Sequence, residues 1–234
     1  MKALCFTFDR NMPVMEYVLH TYFKCWPDNP FVFYIPWNNT KPKHLINQYG
    51  SDKIKLLQTN SDVKPTIRTL LSVVNENEFI WWAQDDKYII DFKNKQIIQD
   101  LYQHNTSEIG GFMFTKNADA HKSYLKSTTN IGGYKLIQKK NHHQIFQPQW
   151  VKKEIIESLY LEDSLPEHYH LSRLFGIMNN LPVKKLYTTT DNYISIAESI
   201  DQGKLTSNII QDSKKDNFII KGNFKRCNKT MRYL

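Results

Sequence analysis

Cysteine and long apolar runs are both scarce in this chain of 234 residues. Its three cysteines, Cys5, Cys25 and Cys227, are scattered, odd in number and without C-x-x-C spacing. This pattern argues against a disulfide framework and predicts a reduced, cytoplasmic protein. No apolar run approaches the length of a membrane span. The first nine residues reach a charge before a signal-peptide core could form, and they predict a first strand instead.

The composition suits one large folded domain over residues 1–234. Hydrophobic residues make up 41% and charged residues 23%, so a sizeable core is expected and wholesale disorder is not. The net charge is +8, and most of the excess positive charge lies in residues 214–234. This segment has seven basic residues and one acidic residue, Asp216. These bases are Lys214, Lys215, Lys221, Lys225, Arg226, Lys229 and Arg232. Phosphate groups, polyanions or an anionic membrane surface are the partners that such a charge favours.

Strand-like and helix-like segments alternate through the first half of the chain. Short apolar runs predict strands at 3–8, 31–37 and 79–83, and alternating polar and apolar residues predict an outer strand at 53–59. Helical spacing predicts helices at 13–26 and 65–75, and a short helix ended by Gly50 is expected at 42–49. This order predicts an α/β fold with parallel strands and right-handed crossovers.

The pattern is looser in the second half of the chain. It predicts helices at 93–105, 150–159 and 167–179, strand structure at 109–115, 131–147 and 183–189, and a loop at 116–130.

Two adjacent carboxylates follow the apolar strand at 79–83. Gln84, Asp85 and Asp86 stand where that strand leaves the sheet, and ligands of open α/β sheets bind beyond the carboxyl ends of strands. Carboxylate oxygens are hard ligands for Mg²⁺ or Mn²⁺, which are usually shared with substrate phosphates. The alternative is an ordinary solvated turn, because Asp is a common turn residue.

This order of elements and the acids after residue 83 resemble the GT-A-type glycosyltransferases, which move a sugar from a nucleotide-sugar donor. Gln84-Asp85-Asp86 occupies the place of their "DxD" motif, and the segments 147–154 and 163–173 are similar to the second half of small bacterial and viral members. The resemblance covers about residues 1–190. It implies a GT-A-like (Rossmann-like) mixed, mostly parallel central sheet flanked by helices.

The resemblance also implies separate functions for three segments of the chain. Residues 1–92 would form the nucleotide-sugar-binding half, 93–190 the acceptor-side half, and 191–234 a basic C-terminal extension. The expected reaction is metal-assisted and inverting transfer to a glycan, polysaccharide or lipid-linked acceptor. UDP-sugar is the expected donor, and the oligomeric state stays open.

The resemblance assigns the metal to Asp86, with Asp85 assisting or binding the ribose, and Mn²⁺ or Mg²⁺ as the ion. The first motif position is a departure, because Gln84 is an amide and a weak metal ligand that can instead hydrogen-bond a ribose hydroxyl.

Other donor contacts would come from two further places. These are Thr7, Asp9 and Arg10 after the first strand, and Arg68, with Lys64 behind it, on the helix before the acidic strand. The structural alternatives are a helix cap at Asp9 or Asn11 and a solvated helix face at Arg68.

The resemblance places the catalytic base in the loop and helix after residue 160. Glu167 is favoured there, with Asp163 and Glu162 behind it, because a carboxylate of suitable pKa can accept the acceptor's proton. Acids are also favoured in first helical turns by the helix dipole, so a structural role remains open for Glu167.

Two other functions compete with glycosyl transfer. A sugar-phosphate nucleotidyltransferase would normally have a Gly-rich N-terminal loop, but residues 7–14 contain no glycine. A basic nucleic-acid-binding protein would carry a recognisable signature, and none is visible, so no specific nucleic acid is expected.

Two smaller questions concern zinc and aromatic residues. The histidine pairs at 142–143 and 168–170 lack the spacing of a zinc site. Among the aromatic residues, Trp81 and Trp82 are expected in the core, and Trp150 is the better candidate for a sugar platform.

Overall fold

The computed structural model describes residues 1–115, 125–139, 145–167, 169, 171, 174 and 185–233. Most of the helix predicted at 167–179, and histidines 142, 143, 168 and 170, lie outside these residues.

The strands are β1 (Lys2–Phe6), β2 (Val32–Trp37), β3 (Ile54–Gln58), β4 (Phe79–Gln84), β5 (Lys87–Phe92), β6 (Ile109–Met113), β7 (Leu125–Ile131), β8 (Tyr134–Lys139), β9 (Gln149–Lys152), β10 (Lys185–Thr189), β11 (Ile194–Glu198), β12 (Ile200–Asp201), β13 (Lys204–Leu205) and β14 (Arg232–Tyr233). The helices are α1 (Met12–Cys25), α2 (Lys43–Tyr49), α3 (Val63–Leu71), α4 (Lys95–Gln103), α5 (Lys153–Tyr160) and α6 (Ser207–Lys215), with a short 3₁₀ helix at Asp9–Asn11.

A nine-stranded sheet forms the centre of the described structure. Its strand order is β3-β2-β1-β4-β9-β6-β10-β8-β7. The four strands from β3 to β4 are parallel, and β9 and β8 run against the other strands of the sheet. The prediction of a mixed, mostly parallel α/β sheet flanked by helices is confirmed.

The central strand β4 is buried on both of its faces. Phe79, Trp81 and Ala83 pack into the core beneath α1 and α4, while Ile80 and Trp82 pack into the core beneath α3 and α5. Successive side chains of a strand point to opposite faces, so an unbroken apolar run is what a two-sided core requires. The expected burial of both tryptophans is confirmed.

Trp150 was expected to be a sugar platform, and that prediction is wrong. It lies on β9, where it pairs with Trp81 of β4 and Phe112 of β6. Its side chain is 0% exposed, and its indole N–H donates to the Ile98 carbonyl at 2.8 Å. The strand around it extends over 149–152, so the helix predicted from residue 150 begins only at Lys153.

The chain beyond the acid pair contains strands that sequence patterns did not predict. β5 begins directly after the acid pair and joins β11 and β14 in a separate three-stranded sheet. β7 occupies 125–131, much of which was expected to be loop. The basic C-terminal part is folded against the rest, because α6 buries Ile209 and Met231 accepts a hydrogen bond from the Glu198 N–H at 3.2 Å. Among the described helices, none has the length and apolar character needed to cross a bilayer.

Candidate active site

A cavity of about 600 Å³ opens at the carboxyl ends of β1 and β4. These strands are neighbours, with Phe6 paired to Gln84, and the chain's strand order reverses direction between them. A reversal of this kind leaves a crevice at the strand ends where ligands bind. We call this space the donor cavity, after the nucleotide-sugar donor that the sequence resemblance predicts at the end of β4. Its charged lining residues are Arg10, Asp85, Asp86, Lys87, Glu198 and Asp201.

Asp85 is fixed by the strand next to it. Its Oδ2 accepts a hydrogen bond from the Thr7 hydroxyl at 2.7 Å, and the Ser199 hydroxyl donates to its backbone carbonyl. Burial raises the pKa of Asp85 to about 7, and the charge of Asp86 adds to the shift, against hydrogen bonds from Thr7 and Asn11. In the protein without ligand, this carboxyl is therefore partly protonated near neutral pH.

Asp86 keeps one carboxylate oxygen without a partner. Its Oδ2 lies 2.8 Å from the Lys87 ammonium, whereas its buried Oδ1 has no hydrogen-bond partner among the described residues. Burial raises the pKa of Asp86, and Lys87 opposes part of that shift. A buried acceptor without a partner is costly, so Oδ1 is prepared for a donor or a cation that comes with a ligand.

A chain of alternating charges links Asp86 to the C-terminal part of the protein. Lys87 and Glu198 are paired across β5 and β11, with Nζ and Oε1 3.6 Å apart. The Lys229 ammonium then lies 2.9 Å from Glu198 Oε2 and 3.3 Å from Asp201 Oδ1. Although burial lowers the pKa of Lys87, Asp86 and Glu198 outweigh it and the net shift is upward. Lys87 therefore stays charged at the base of the donor cavity.

The residues of this cavity fit a divalent cation that is shared with a ligand. No three His, Cys, Asp or Glu side chains converge into a metal cage within the described part of the chain. Mg²⁺, however, is commonly held by one or two carboxylates together with substrate phosphates. The lining acids Asp85, Asp86, Glu198 and Asp201 outnumber the lining bases, so a diphosphate would need an added positive charge here. Asp86 Oδ1 is the atom that could hold such an ion.

Asp9 and Arg10, which follow β1, have different surroundings. Asp9 was predicted as a donor contact, but its carboxylate caps the loop after β2. Its oxygens accept hydrogen bonds from the backbone N–H groups of Asn38, Asn39 and Thr40 at 2.7, 2.7 and 2.9 Å. Arg10 is exposed and lines the donor cavity.

The remaining predicted donor contacts lie in different surroundings. Gln84 lines the donor cavity, where its amide N–H donates to the Tyr160 hydroxyl at 2.8 Å. Lys64 is buried, and its ammonium donates to the backbone carbonyls of Glu162 and Leu165. It holds the loop after α5 in place and is not among the residues that line the cavity.

The predicted catalytic acids lie outside the described lining of the donor cavity. Glu167 forms two hydrogen bonds of 3.0 Å with the guanidinium of Arg68, and both side chains are about half exposed. Asp163 is exposed on the same loop. The structure thus brings Glu167 and Arg68 together, and neither is among the described residues that line the donor cavity.

Sequence reasoning missed the far wall of the donor cavity. That wall is the hairpin β12–β13, whose turn at Gln202 and Gly203 has positive φ at both residues and lines the cavity. A glycine between short β-prone runs is a hairpin signal, so the turn could have been found. Its position over the acids could not, because it depends on pairing between β5 and β11.

The comparisons with known proteins identify the fold. No protein-family model and no curated protein matches the chain. Among solved structures, S. aureus TarS matches with a TM-score of 0.50 and 15% identity, covering 82% of this chain and 35% of that chain. TarS 1–349 in complex with UDP-GlcNAc gives a TM-score of 0.45 and 13% identity, covering 82% and 56%. The galactosyltransferase LgtC, in complex with donor and acceptor sugar analogs, gives 0.42 and 8%, covering 91% and 78%.

The chain spans 35% of the length of the full TarS chain and 56% of the shorter one. At these identities the likeness concerns the fold. Together with the sheet order and the acid pair at the end of β4, it shows that this chain has a GT-A-like glycosyltransferase fold.

Proposed function

We propose that this protein is a glycosyltransferase that binds a nucleotide sugar in the donor cavity and transfers the sugar to an acceptor hydroxyl. The observation that carries the proposal is Asp86, at the end of β4, with a buried Oδ1 that has no hydrogen-bond partner among the described residues. A carboxylate in this position suits a cation bound to a diphosphate. The volume of about 600 Å³ lies within the range of small-molecule sites.

In this proposal each group of the cavity has a separate task. Asp86 would hold Mn²⁺ or Mg²⁺, and the ion would neutralise charge on the departing diphosphate. Asp85 would present its carboxyl to the ribose while Thr7 fixes its orientation. Arg10, exposed at the rim, would pair with a phosphate or the base edge. Lys87 and Glu198 keep Asp86 in one orientation through the ion pairs described above.

Deprotonation of the acceptor hydroxyl needs a base if the reaction inverts the anomeric centre. Glu167 remains our first candidate and Asp163 our second, because the loop after α5 joins the described cavity wall at Tyr169 and Leu171. Arg68 would then orient the Glu167 carboxylate rather than contact the donor.

Isothermal titration calorimetry with UDP-, GDP-, CMP- and dTDP-sugars, each with and without Mn²⁺, tests this proposal. UDP-GlcNAc is the first ligand to try, since it is the ligand in a TarS structure. We expect one nucleotide class to bind, and Asp86→Asn to weaken its Mn²⁺-dependent binding by at least about tenfold.

Asp91→Asn is the matched control, because Asp91 is an exposed acid on the same strand that follows the acid pair. The Asp91→Asn variant should bind the nucleotide sugar with the same affinity as the unmodified protein. Absence of binding by every nucleotide, with or without Mn²⁺, would remove the basis of the proposed function.

A further inference from the structure

A second cavity, of about 480 Å³, adjoins the donor cavity on the other side of the β12–β13 hairpin. The two cavities share Arg10, Gln202 and Gly203 as lining residues. A Cβ added at Gly203 would lie 2.7 Å from Arg10 Nη2, so the guanidinium packs directly on the hairpin turn. A ligand in the second cavity would therefore reach the rim of the first. We call the second space the basic cavity.

The two cavities differ in charge. The basic cavity is lined by Arg10, Lys204 and Lys225 and by a single acid, Asp9. The Asp9 carboxylate is already used by three backbone N–H groups of the loop 38–40. In the described part of the chain, none of the three cations forms an ion pair. The basic cavity thus has uncompensated positive charge, whereas acids outnumber bases in the donor cavity.

The basic cavity also offers an apolar surface to a ligand. Phe224 lines it and is partly exposed. A Cβ at Gly222, where φ is +108°, would lie 3.1 Å from the Phe224 ring, so glycine at 222 leaves that part of the ring uncovered. Aromatic rings beside cations suit ligands that have both an apolar face and an anionic group.

We propose that the basic cavity binds the acceptor, and that this acceptor is a glycan or polyol with phosphate or carboxylate groups. This inference rests on the proposed function, because a site beside the donor cavity is an acceptor site only if a sugar is transferred there. The shared Arg10 and hairpin turn bring the acceptor next to the donor. The ammonium groups of Lys204 and Lys225, which line only the basic cavity, select its charge, since like-charged or neutral acceptors would gain nothing from them.

NMR titration of the ¹⁵N-labelled full chain can test the proposal with defined probes. Glycerol 1-phosphate and glucuronate serve as charged probes, and glycerol and glucose as their neutral counterparts. We expect the charged probes to shift the backbone amides of Gly203, Lys204, Gly222 and Asn223. The double variant Lys204→Gln/Lys225→Gln should weaken the binding of the charged probes by about tenfold, and the neutral compounds should cause no shifts there.

The double variant Lys214→Gln/Lys221→Gln is the control. It removes the same net charge from two exposed lysines outside the cavity. Shifts with glycerol 1-phosphate alone support a phosphorylated acceptor, and shifts with glucuronate alone support an acidic glycan. The proposal would be overturned if the neutral compounds caused equal shifts, or if the charged probes shifted only amides in other regions. It would also be overturned if both double variants lost the same affinity for the charged probes.

The same samples separate this inference from the proposed function. UDP-GlcNAc should shift amides around Thr7 and Asp85, and it should bind the Lys204→Gln/Lys225→Gln variant with unchanged affinity. If its shifts fall on Gly222 and Asn223 instead, the basic cavity binds the donor and the acceptor assignment is wrong. If charged probes bind but no nucleotide sugar does, the proposed function fails and the acceptor assignment fails with it.

Discussion

Lys87 and Glu198 face each other across β5 and β11, with Nζ and Oε1 3.6 Å apart. The partners are separated by more than a hundred residues along the chain, yet they lie beside the same acid, Asp86. Because Lys87 is 8% exposed and Glu198 is 10% exposed, water screens their charges weakly, and the chain of charges through Asp86 and Lys229 compensates them.

Replacement of Lys87 by Met should therefore destabilise the protein. We expect a loss of about 2–3 kcal/mol in the free energy of unfolding, because Asp86 and Glu198 would both lose the ammonium that lies between them, and only Glu198 would keep a neighbouring cation among the described residues, Lys229. Urea unfolding at pH 7 measures this loss. Lys185→Met breaks an exposed pair with Glu108 and should cost no more than about 0.5 kcal/mol. Equal costs for the two variants would show that the charge chain does not stabilise the site.

The Asp9 cap provides a pH-dependent prediction. Burial acts to raise the pKa of Asp9, but the backbone N–H groups of Asn38, Thr40 and Asn39 outweigh it and hold the pKa below 3.8. A depressed carboxyl pKa contributes stability that is present above the unfolded value and is lost as the pH falls through the folded value. Asp9→Asn should lower the free energy of unfolding by about 1–2 kcal/mol at pH 7. In acid, the free energies of unfolding of the variant and of the unmodified protein should become equal.

Urea unfolding across the range from pH 7 to about pH 2.5 follows this convergence. Asp28→Asn is the control, because Asp28 is an exposed acid, and its effect should stay within about 0.5 kcal/mol at every pH. A difference between Asp9→Asn and the unmodified protein that persists undiminished in acid would contradict the assigned role of the carboxylate.

The catalytic assignment of Glu167 can be separated from its ion pair. Glu167→Gln should lower kcat on the order of a hundredfold if this carboxylate is the base, while the free energy of unfolding changes by less than about 1 kcal/mol, since the pair is exposed. Arg68→Gln breaks the same pair but keeps the base. Measuring kcat of sugar transfer for both variants distinguishes the two roles. Equal decreases in kcat would mean that the ion pair matters and that the base lies elsewhere.

Local sequence signals were sufficient for the strands and helices that precede the acid pair. The unbroken apolar run of β4 predicts a strand buried on both faces, and its end predicts the place of Asp85 and Asp86. The helical spacing before Trp26 predicts α1. Each of these features depends on neighbours within one element, and the parallel order then follows from short connections.

The residues that the sequence did not reveal depend on distant pairing. Lys87 looks like a solvated lysine until β11 places Glu198 opposite it. Trp150 has polar neighbours along the chain, but β4 and β6 enclose it on both sides. The ammonium of Lys64 binds carbonyls about a hundred residues later, which no local pattern could show. In all three cases the deciding partner is remote in sequence.

The hydrogen bonds between Glu198 and Met231 and between Ser207 and Lys229 have a consequence for biosynthesis. On the ribosome, the acid pair and its parallel strands emerge long before the segment that completes the wall above them. The cavity cannot take its final shape until residue 231 has left the exit tunnel. Binding competence should therefore arise only after this segment has been synthesised, later than the strands that carry the acid pair.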